Sequence, residues 1–127
     1  MSEPSRAVLT DPERPGFVVL DALPMRPAGP DEVTIDVECF SLNRGELKFA
    51  QGKPAGSRIG WDVAGTVAEA AHGFEEGTRV VAFVAAQEGW AERVAVPKTY
   101  LAPIPDAVSS ELAAALPVAA GTALAAV

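Results

Sequence analysis

The 127-residue sequence contains a single cysteine, Cys39, and a single histidine, His72. One cysteine excludes an internal disulfide. A catalytic zinc takes about three protein ligands from histidine, cysteine and carboxylate, so a zinc site here would depend on carboxylates alone. His72 stands beside a glycine and acidic residues between two apolar runs, which is typical of a turn. We therefore interpret His72 as a solvated turn residue and predict no metal site.

Glycine-rich nucleotide loops are also missing. No two glycines are separated by a single residue, which excludes the G-x-G-x-x-G loop that brings backbone close to a pyrophosphate. Gly60 and Gly65 have the spacing of a phosphate-binding loop, but Thr66 and Val67 follow in place of its lysine and hydroxyl residue. A Ser-His-acid triad cannot be argued either, because the only histidine is a presumed turn residue. The sequence predicts no nucleotide-binding domain and no cofactor bound by this chain alone.

Positive charge is scarce. Lys and Arg total 10 against 17 Asp and Glu, giving a net charge of −7, and an acidic protein repels phosphate backbones. The longest uncharged stretch, residues 112–127, is mostly alanine and is shorter than the roughly 20 apolar residues that span a bilayer. The N-terminus has no apolar segment of the secretory kind. We predict a cytoplasmic protein with neither nucleic-acid nor membrane partners.

Proline and glycine, with 11 of each, separate short runs rich in Val, Ile and Phe. Such runs are typical of β-strands. Seven are predicted, at residues 6–10, 17–23, 33–40, 63–70, 78–84, 89–96 and 100–105. In the third run Val33, Ile35, Val37 and Cys39 alternate with polar residues, which places all four on one inward face of a strand.

Helical signals are confined to two places. A short helical turn follows the third run, and residues 107–127 form a C-terminal helical segment with Ser109 or Ser110 as its cap and Glu111 in its first turn. Pro117 must kink or restart that helix. We therefore predict one mainly β domain over residues 1–127, an irregular β-barrel, in which residues 1–16 form an N-terminal strand and turn.

Polar and aromatic residues collect at the ends of these elements. They are Asn43, Arg44 and Glu46 after the third strand, Trp61 and Asp62 before the fourth, and Gln87, Glu88 and Trp90 around the start of the run at 89–96. Loops at one end of a β scaffold often carry binding groups. The alternative is structural: the tryptophans can pack in the core or at its rim, Asp62 can cap a turn, and Arg44 with Glu46 can be solvated neighbours.

The order of these segments resembles a known family. VTIDVECFSLNRGELK, RIGWDVAGTVAEA, GTRVVAFV, GWAERVAV and IPDAVSSELAAALPVAAGTAL together resemble the N-terminal, GroES-like catalytic domain of medium-chain dehydrogenases/reductases. The resemblance runs from about Val19 to the end of the chain and is greatest to the zinc-free quinone oxidoreductase branch. It implies a GroES-like irregular β-barrel.

The resemblance also implies roles for individual residues. Zinc-dependent alcohol dehydrogenases of this superfamily bind metal through a cysteine after the third strand and a His-Glu pair, and the matching positions here are Asn43, Trp61 and Asp62. An amide, an indole and one carboxylate do not replace thiolate and imidazole. In quinone oxidoreductases the corresponding asparagine lies near the nicotinamide and helps to orient an enone or quinone. By this resemblance Asn43 is a candidate carbonyl donor and Asp62 a candidate acid or base. The predicted substrate-binding residues are Phe40, Arg44, Trp61 and Trp90.

Members of the superfamily continue into a Rossmann domain that holds NADPH, whereas this sequence stops at Val127. Its initial methionine favours a stand-alone, cofactor-independent protein that binds a hydrophobic small molecule and catalyses a redox-neutral cyclisation or isomerisation in natural-product biosynthesis. A complete protein of this kind is expected to bury its apolar C-terminal helix in a homodimer. The alternatives are the substrate-binding part of an NADPH-dependent quinone or enone oxidoreductase, and a non-catalytic interaction module.

Overall fold

The structure, a computed structural model, describes residues 4–127. The first three residues of the predicted segment 1–16 therefore lie outside the described residues. The strands are β1 Pro4–Thr10, β2 Val18–Pro24, β3 Glu32–Phe40, β4 Asp62–Val67, β5 Arg79–Phe83, β6 Arg93–Pro97 and β7 Leu101–Pro103. The α-helices are α1 Arg44–Gly52, α2 Ser110–Ala114 and α3 Pro117–Ala125.

Two antiparallel sheets make up the β structure. β1 pairs with β2, and the other five strands form a sheet in the order β6-β3-β4-β5-β7 that curls into a half-barrel. Isolated bridges from Ala7 to Ala91 and from Leu9 to Arg58 bring the β1–β2 ribbon against the segments that precede β6 and β4. The predicted mainly β class, with a short helix after the third strand and a helical C-terminus, is confirmed.

The strand boundaries differ from the predicted ones mainly at turns. β4 ends at Val67 rather than at residue 70, because residues 68–73 turn back toward β5. β6 begins at Arg93 rather than at residue 89, because residues 89–92 contribute only the single bridge to Ala7. Apolar content alone does not separate a strand from an extended segment that crosses over a core.

The main core lies on one face of the five-stranded sheet. Val33, Ile35, Val63, Val80 and Val96 are each 0% exposed there. Their alternation along the strands produces this face, as the sequence predicts for the first half of β3.

The prediction that Cys39 points inward with the valines of β3 is wrong. The β3–β4 register shifts between Val37 and Cys39, and a β-bulge adds one residue to one strand, which reverses the faces beyond it. Cys39 is half-buried and packs instead in a second cluster with Ala64 and Ala113, beneath α2.

A glycine permits the close approach of β3 and β4. A Cβ atom at Gly65 would lie 2.0 Å from the carbonyl oxygen of Asp36, so any other residue would push the strands apart. β4 is therefore held tightly at the centre of the sheet, and Asp62 at its first position is held with it.

The C-terminal helices follow their sequence signals. The Ser109 side chain caps α2 by accepting a hydrogen bond from the Leu112 N–H at 3.1 Å, and Pro117 occupies the first turn of α3, where its missing N–H costs nothing. α2 buries Ala113 and Ala114, whereas α3 has no buried residue. Across residues 4–127, no helix has the length and apolar character needed to cross a membrane.

Candidate functional site

The loop before β4 is fixed against its neighbours by backbone contacts. Gly60 has a φ of +113°, and a Cβ there would lie 2.5 Å from the backbone nitrogen of Trp90. The Trp90 N–H donates to Ile59 O at 2.9 Å. The close contact between Gly60 and Trp90 therefore fixes the backbone direction at Trp61, the next residue along the chain.

The Glu46 carboxylate joins the start of α1 to this loop. Asn43 is the N-cap residue of α1, and its backbone N–H donates to Glu46. The Trp61 N–H donates to the other carboxylate oxygen at 2.8 Å. Glu46 is 1% exposed, and this burial raises its pKa, with a smaller contribution from the negative charge of Asp62. A buried carboxylate thus orders both segments that carry predicted site residues.

The Asp62 carboxylate binds the segment after β3 and also the first turn of α3. One oxygen accepts hydrogen bonds from Ser41 Oγ at 2.6 Å and Asn43 Nδ2 at 2.9 Å. The other accepts from the backbone N–H of Val118 in the first turn of α3 at 3.0 Å. Asp62 is 1% exposed, so this network of Ser41, Asn43, Asp62 and Val118, here called the Asp62 network, is shielded from water.

An apolar cleft of about 720 Å³ adjoins the network between β5, β7 and α3. Trp61 and Val118 form the part of its wall next to the Asp62 network. The rings of Phe83, at the end of β5, and Tyr100, immediately before β7, meet edge to face with their centroids 6.2 Å apart. No charged residue is among the described residues that line the cleft. Such a cleft fits an uncharged, mainly apolar organic molecule.

The structure brings together three of the six predicted site residues. Asn43 and Asp62 are hydrogen-bonded, and Trp61 lies beside them on the cleft wall. Phe40 and Trp90 lie elsewhere: their rings stack at 5.6 Å and line a separate cavity of about 480 Å³ under the β1–β2 ribbon.

Trp90 is mainly a packing residue by its position. It is 4% exposed and clusters with Ala50 and Ile59, and its indole N–H donates to Ser41 O at 3.1 Å. Arg44, the remaining predicted residue, is exposed, and its side chain has no ion pair or hydrogen bond to the described residues. Whether Phe40, Trp90 and Arg44 bind substrate stays a prediction.

The other polar residues of the predicted cluster have surface roles. Gln87 accepts a hydrogen bond from Lys53 Nζ at 2.8 Å, and Glu88 lies 3.3 Å from the Arg26 guanidinium. His72 is exposed in the β4–β5 turn with a φ of +52°. Its interpretation as a solvated turn residue is confirmed.

Several residues of the site were missed by the sequence analysis. Phe83 and Tyr100 line the cleft and Ser41 and Val118 complete the network. Tyr100, the only tyrosine in the chain, and Ser41, two residues before Asn43, could have been suspected. Val118 could not, because it contributes a backbone N–H that every non-proline residue possesses.

The donor set does not fit a zinc ion. Among residues 4–127 no group of three or more His, Cys, Asp and Glu side chains could hold a metal. The Asp62 carboxylate, which occupies the position that the resemblance assigns to a ligand, already accepts three hydrogen bonds.

Comparison with known proteins agrees with this geometry. Residues 29–106 match the family of the alcohol dehydrogenase GroES-like domain. Squalestatin tetraketide synthase clz2 of Cochliobolus lunatus is 34% identical over 93 residues, which cover 69% of this chain but only 4% of that protein. The chain therefore spans a small part of the curated relatives that it matches.

Solved structures share the fold over nearly the whole chain. The human synaptic vesicle membrane protein VAT-1 homolog-like protein superposes with a TM-score of 0.89 at 30% identity, covering 98% of this chain and 43% of that one. The quinone oxidoreductase of Coxiella burnetii superposes with a TM-score of 0.85 at 24% identity, covering 98% and 44%, a similarity that shows the fold alone. This chain spans less than half of either structure.

Proposed function

The chain belongs to the family of the alcohol dehydrogenase GroES-like domain, and on that premise we propose that it is the substrate-binding domain of a zinc-independent, NADPH-dependent oxidoreductase of quinones or other electron-poor alkenes. One observation carries the proposal: an uncharged, aromatic-lined cleft of about 720 Å³ opens beside the buried Asp62 network. The resemblance of the sequence motifs to the zinc-free quinone oxidoreductase branch suggests the same substrate class.

The cleft residues suit a flat, conjugated carbonyl compound. Trp61, Phe83 and Tyr100 offer aromatic surfaces for stacking, and apolar walls exclude water, which strengthens any hydrogen bond to a polarised carbonyl. Asn43 is bonded to Asp62 and is not itself part of the cleft lining. In this proposal its remaining side-chain N–H donates to a substrate carbonyl that reaches the network end of the cleft. Holding the reactants in one orientation can lower a barrier by several kcal/mol.

The residues present fit one end of NADPH. When bound, the cofactor supplies a hydride. The apolar walls near Trp61 and Val118 can accommodate a nicotinamide ring, but the described lining contains no lysine or arginine to pair with phosphates. The phosphate groups would therefore have to be held outside the cleft lining.

A second candidate is the redox-neutral one. The cleft is lined by apolar and aromatic residues, and in this second proposal it binds an apolar small molecule without a nicotinamide and guides a cyclisation or isomerisation by shape. The exposed apolar residues Leu116 and Leu124 suit burial against another surface, and the predicted homodimer is one way to supply it.

Tryptophan fluorescence can test the proposed site. Trp61 lines the cleft and Trp90 is buried elsewhere, so a short-chain naphthoquinone bound in the cleft should quench Trp61, and a Trp61→Phe variant should lose that quenching while keeping the Trp90 signal. Phe83→Ala should weaken binding about tenfold through lost aromatic contact. Phe17→Ala truncates a phenylalanine outside the cleft lining and should leave the affinity unchanged.

The readouts separate the two candidates. In the gene product that carries this chain, NADPH oxidation that depends on a quinone or enone and falls in Phe83→Ala supports the oxidoreductase. Quinone binding without any NADPH oxidation would favour the redox-neutral candidate. If the quinone quenches the wild type and Trp61→Phe equally, the cleft is not the binding site.

A further inference from the structure

Asp62 is the point at which three separate segments meet. Its carboxylate is bonded by Ser41 and Asn43 from the segment after β3, and by Val118 from the start of α3. These partners lie 21, 19 and 56 residues from Asp62 along the chain. No local turn or cap would require a contact with all three.

The hydrogen bonds leave little capacity for acid–base work. Both oxygens of Asp62 accept bonds and the residue is 1% exposed. A group that exchanges protons with substrate must come within hydrogen-bond reach of it, whereas Asp62 is not among the residues that line the cleft. Val118, which it holds by a hydrogen bond, and Trp61, which precedes it in the chain, do line the cleft.

We propose that Asp62 is a positioning residue that holds the Asn43 side chain and the first turn of α3 as one unit, and so sets the separation of the Trp61 and Val118 walls. Its catalytic relevance rests on the proposed function. The hydrogen bonds themselves do not, and they can be tested without substrate or cofactor.

This role of Asp62 depends on its side chain being a carboxylate. A carboxylate presents only acceptors and can receive all three donors at once. In Asp62→Asn, which has nearly the same shape, one oxygen is replaced by an NH₂ group that opposes either the Val118 N–H or the Asn43 NH₂. Hydrogen bonds to charged groups are about twice as strong as neutral ones, so the substitution should loosen at least one of the joined segments.

The chain offers an unusually clean probe, because Asn43 is its only asparagine. Labelling with [¹⁵N]asparagine gives a single side-chain NH₂ pair in an NMR spectrum. In the wild-type 127-residue chain we expect two well-separated proton shifts, with one proton exchanging with solvent at least about tenfold more slowly than in a free asparagine side chain. Degenerate, rapidly exchanging protons would overturn the proposal without any variant.

Two variants then assign the effect. In uniformly ¹⁵N-labelled Asp62→Asn, protection should fall about tenfold both for the Asn43 side chain and for the Val118 backbone amide. The substitution adds a second asparagine, so the Asn43 NH₂ pair is assigned by correlation with its own backbone. Ser41→Ala removes a donor from the same carboxylate and leaves its charge in place, so both signals should stay close to wild type. If the Asn43 side chain lost its protection from exchange while the Val118 amide kept it, Asn43 and the first turn of α3 would not be held as one unit.

Failure of this inference is distinguishable from failure of the proposed function. The NMR signals report the network whether or not the protein reduces a quinone. A protected Asn43 in a protein without NADPH-dependent activity would leave the positioning role intact and refute the oxidoreductase. An unprotected Asn43 in a protein with that activity would refute the positioning role and support the oxidoreductase.

Discussion

The five-stranded sheet and α3 are both apolar, yet only one of them is buried. Val33 and Ile35 in the sheet are 0% exposed, whereas α3 contains no charged residue and has no buried residue. The strands alternate apolar and polar side chains, which gives each a face to bury. α3 is apolar on all sides, a pattern typical of a helix that packs against further protein surface. The sheet therefore buries its apolar face within the described residues, whereas α3 does not.

The largest expected effect comes from the glycines of the two regions. Gly65→Ala places a Cβ 2.0 Å from the Asp36 carbonyl oxygen, which should separate β3 from β4 and lower the free energy of unfolding by about 4 kcal/mol or more. Gly121 in α3 has no heavy atom within 4 Å of the added Cβ, so Gly121→Ala should raise it by about 0.5–1 kcal/mol. Urea unfolding of both variants measures the contrast. A similar loss in both would show that α3 packs as tightly as the sheet.

Truncation of apolar side chains should give the same contrast on a smaller scale. Ile35→Ala empties a fully buried position and should cost about 3 kcal/mol through lost burial and a residual cavity. Leu124 is 76% exposed, so Leu124→Ala should change stability by no more than about 0.5 kcal/mol. Thermal and urea unfolding would measure both. A large loss for Leu124→Ala would mean that this helix is packed in the protein as measured.

The smallest effect concerns pH at Glu46, whose carboxylate joins the start of α1 to the loop before β4. Burial raises the pKa of Glu46 above its ordinary value of 4.5, so the folded protein favours the protonated form. The stability that this form contributes is fully present below pH 4.5 and is lost as pH rises through the raised pKa. The glutamine of Glu46→Gln cannot ionise. The stability lost by replacing one carboxylate oxygen with an NH₂ group is therefore independent of pH.

Urea unfolding between pH 4 and 7 can isolate this contribution. The stability of the wild type minus that of Glu46→Gln should fall as the pH rises across this range. Because all other titrating groups are shared, the difference removes the opposing effect of carboxylates such as Glu32, whose pKa is lowered by Arg26. A difference that grows with pH would mean that the two N–H donors to Glu46 outweigh its burial.

Much of the fold could be predicted because its signals are local. The first half of β3, the Ser109 cap and the restart at Pro117 each depend on residues within one or two turns of one another. The bulge that turns Cys39 to the other cluster has no such signal, since it reflects how β3 pairs with a strand more than twenty residues away.

The candidate site was only partly predictable. Asn43, Trp61 and Asp62 are brought together as expected from their positions at element ends. Phe40 and Trp90 were also expected at the site from the sequence, but they line a different cavity. That cavity lies under the β1–β2 ribbon, and no single strand encodes how the ribbon packs.

By itself the sequence determined the β-rich class, the helix boundaries near Ser109 and Pro117, and the scarcity of residues that could bind a metal ion or a nucleotide. These properties follow from composition and from patterns with short periods. Only the tertiary structure decided that Asp62 would join Asn43 to the backbone of Val118, 56 residues further along. A backbone N–H has no side-chain signature, so its partner is set by how the chain folds back on itself.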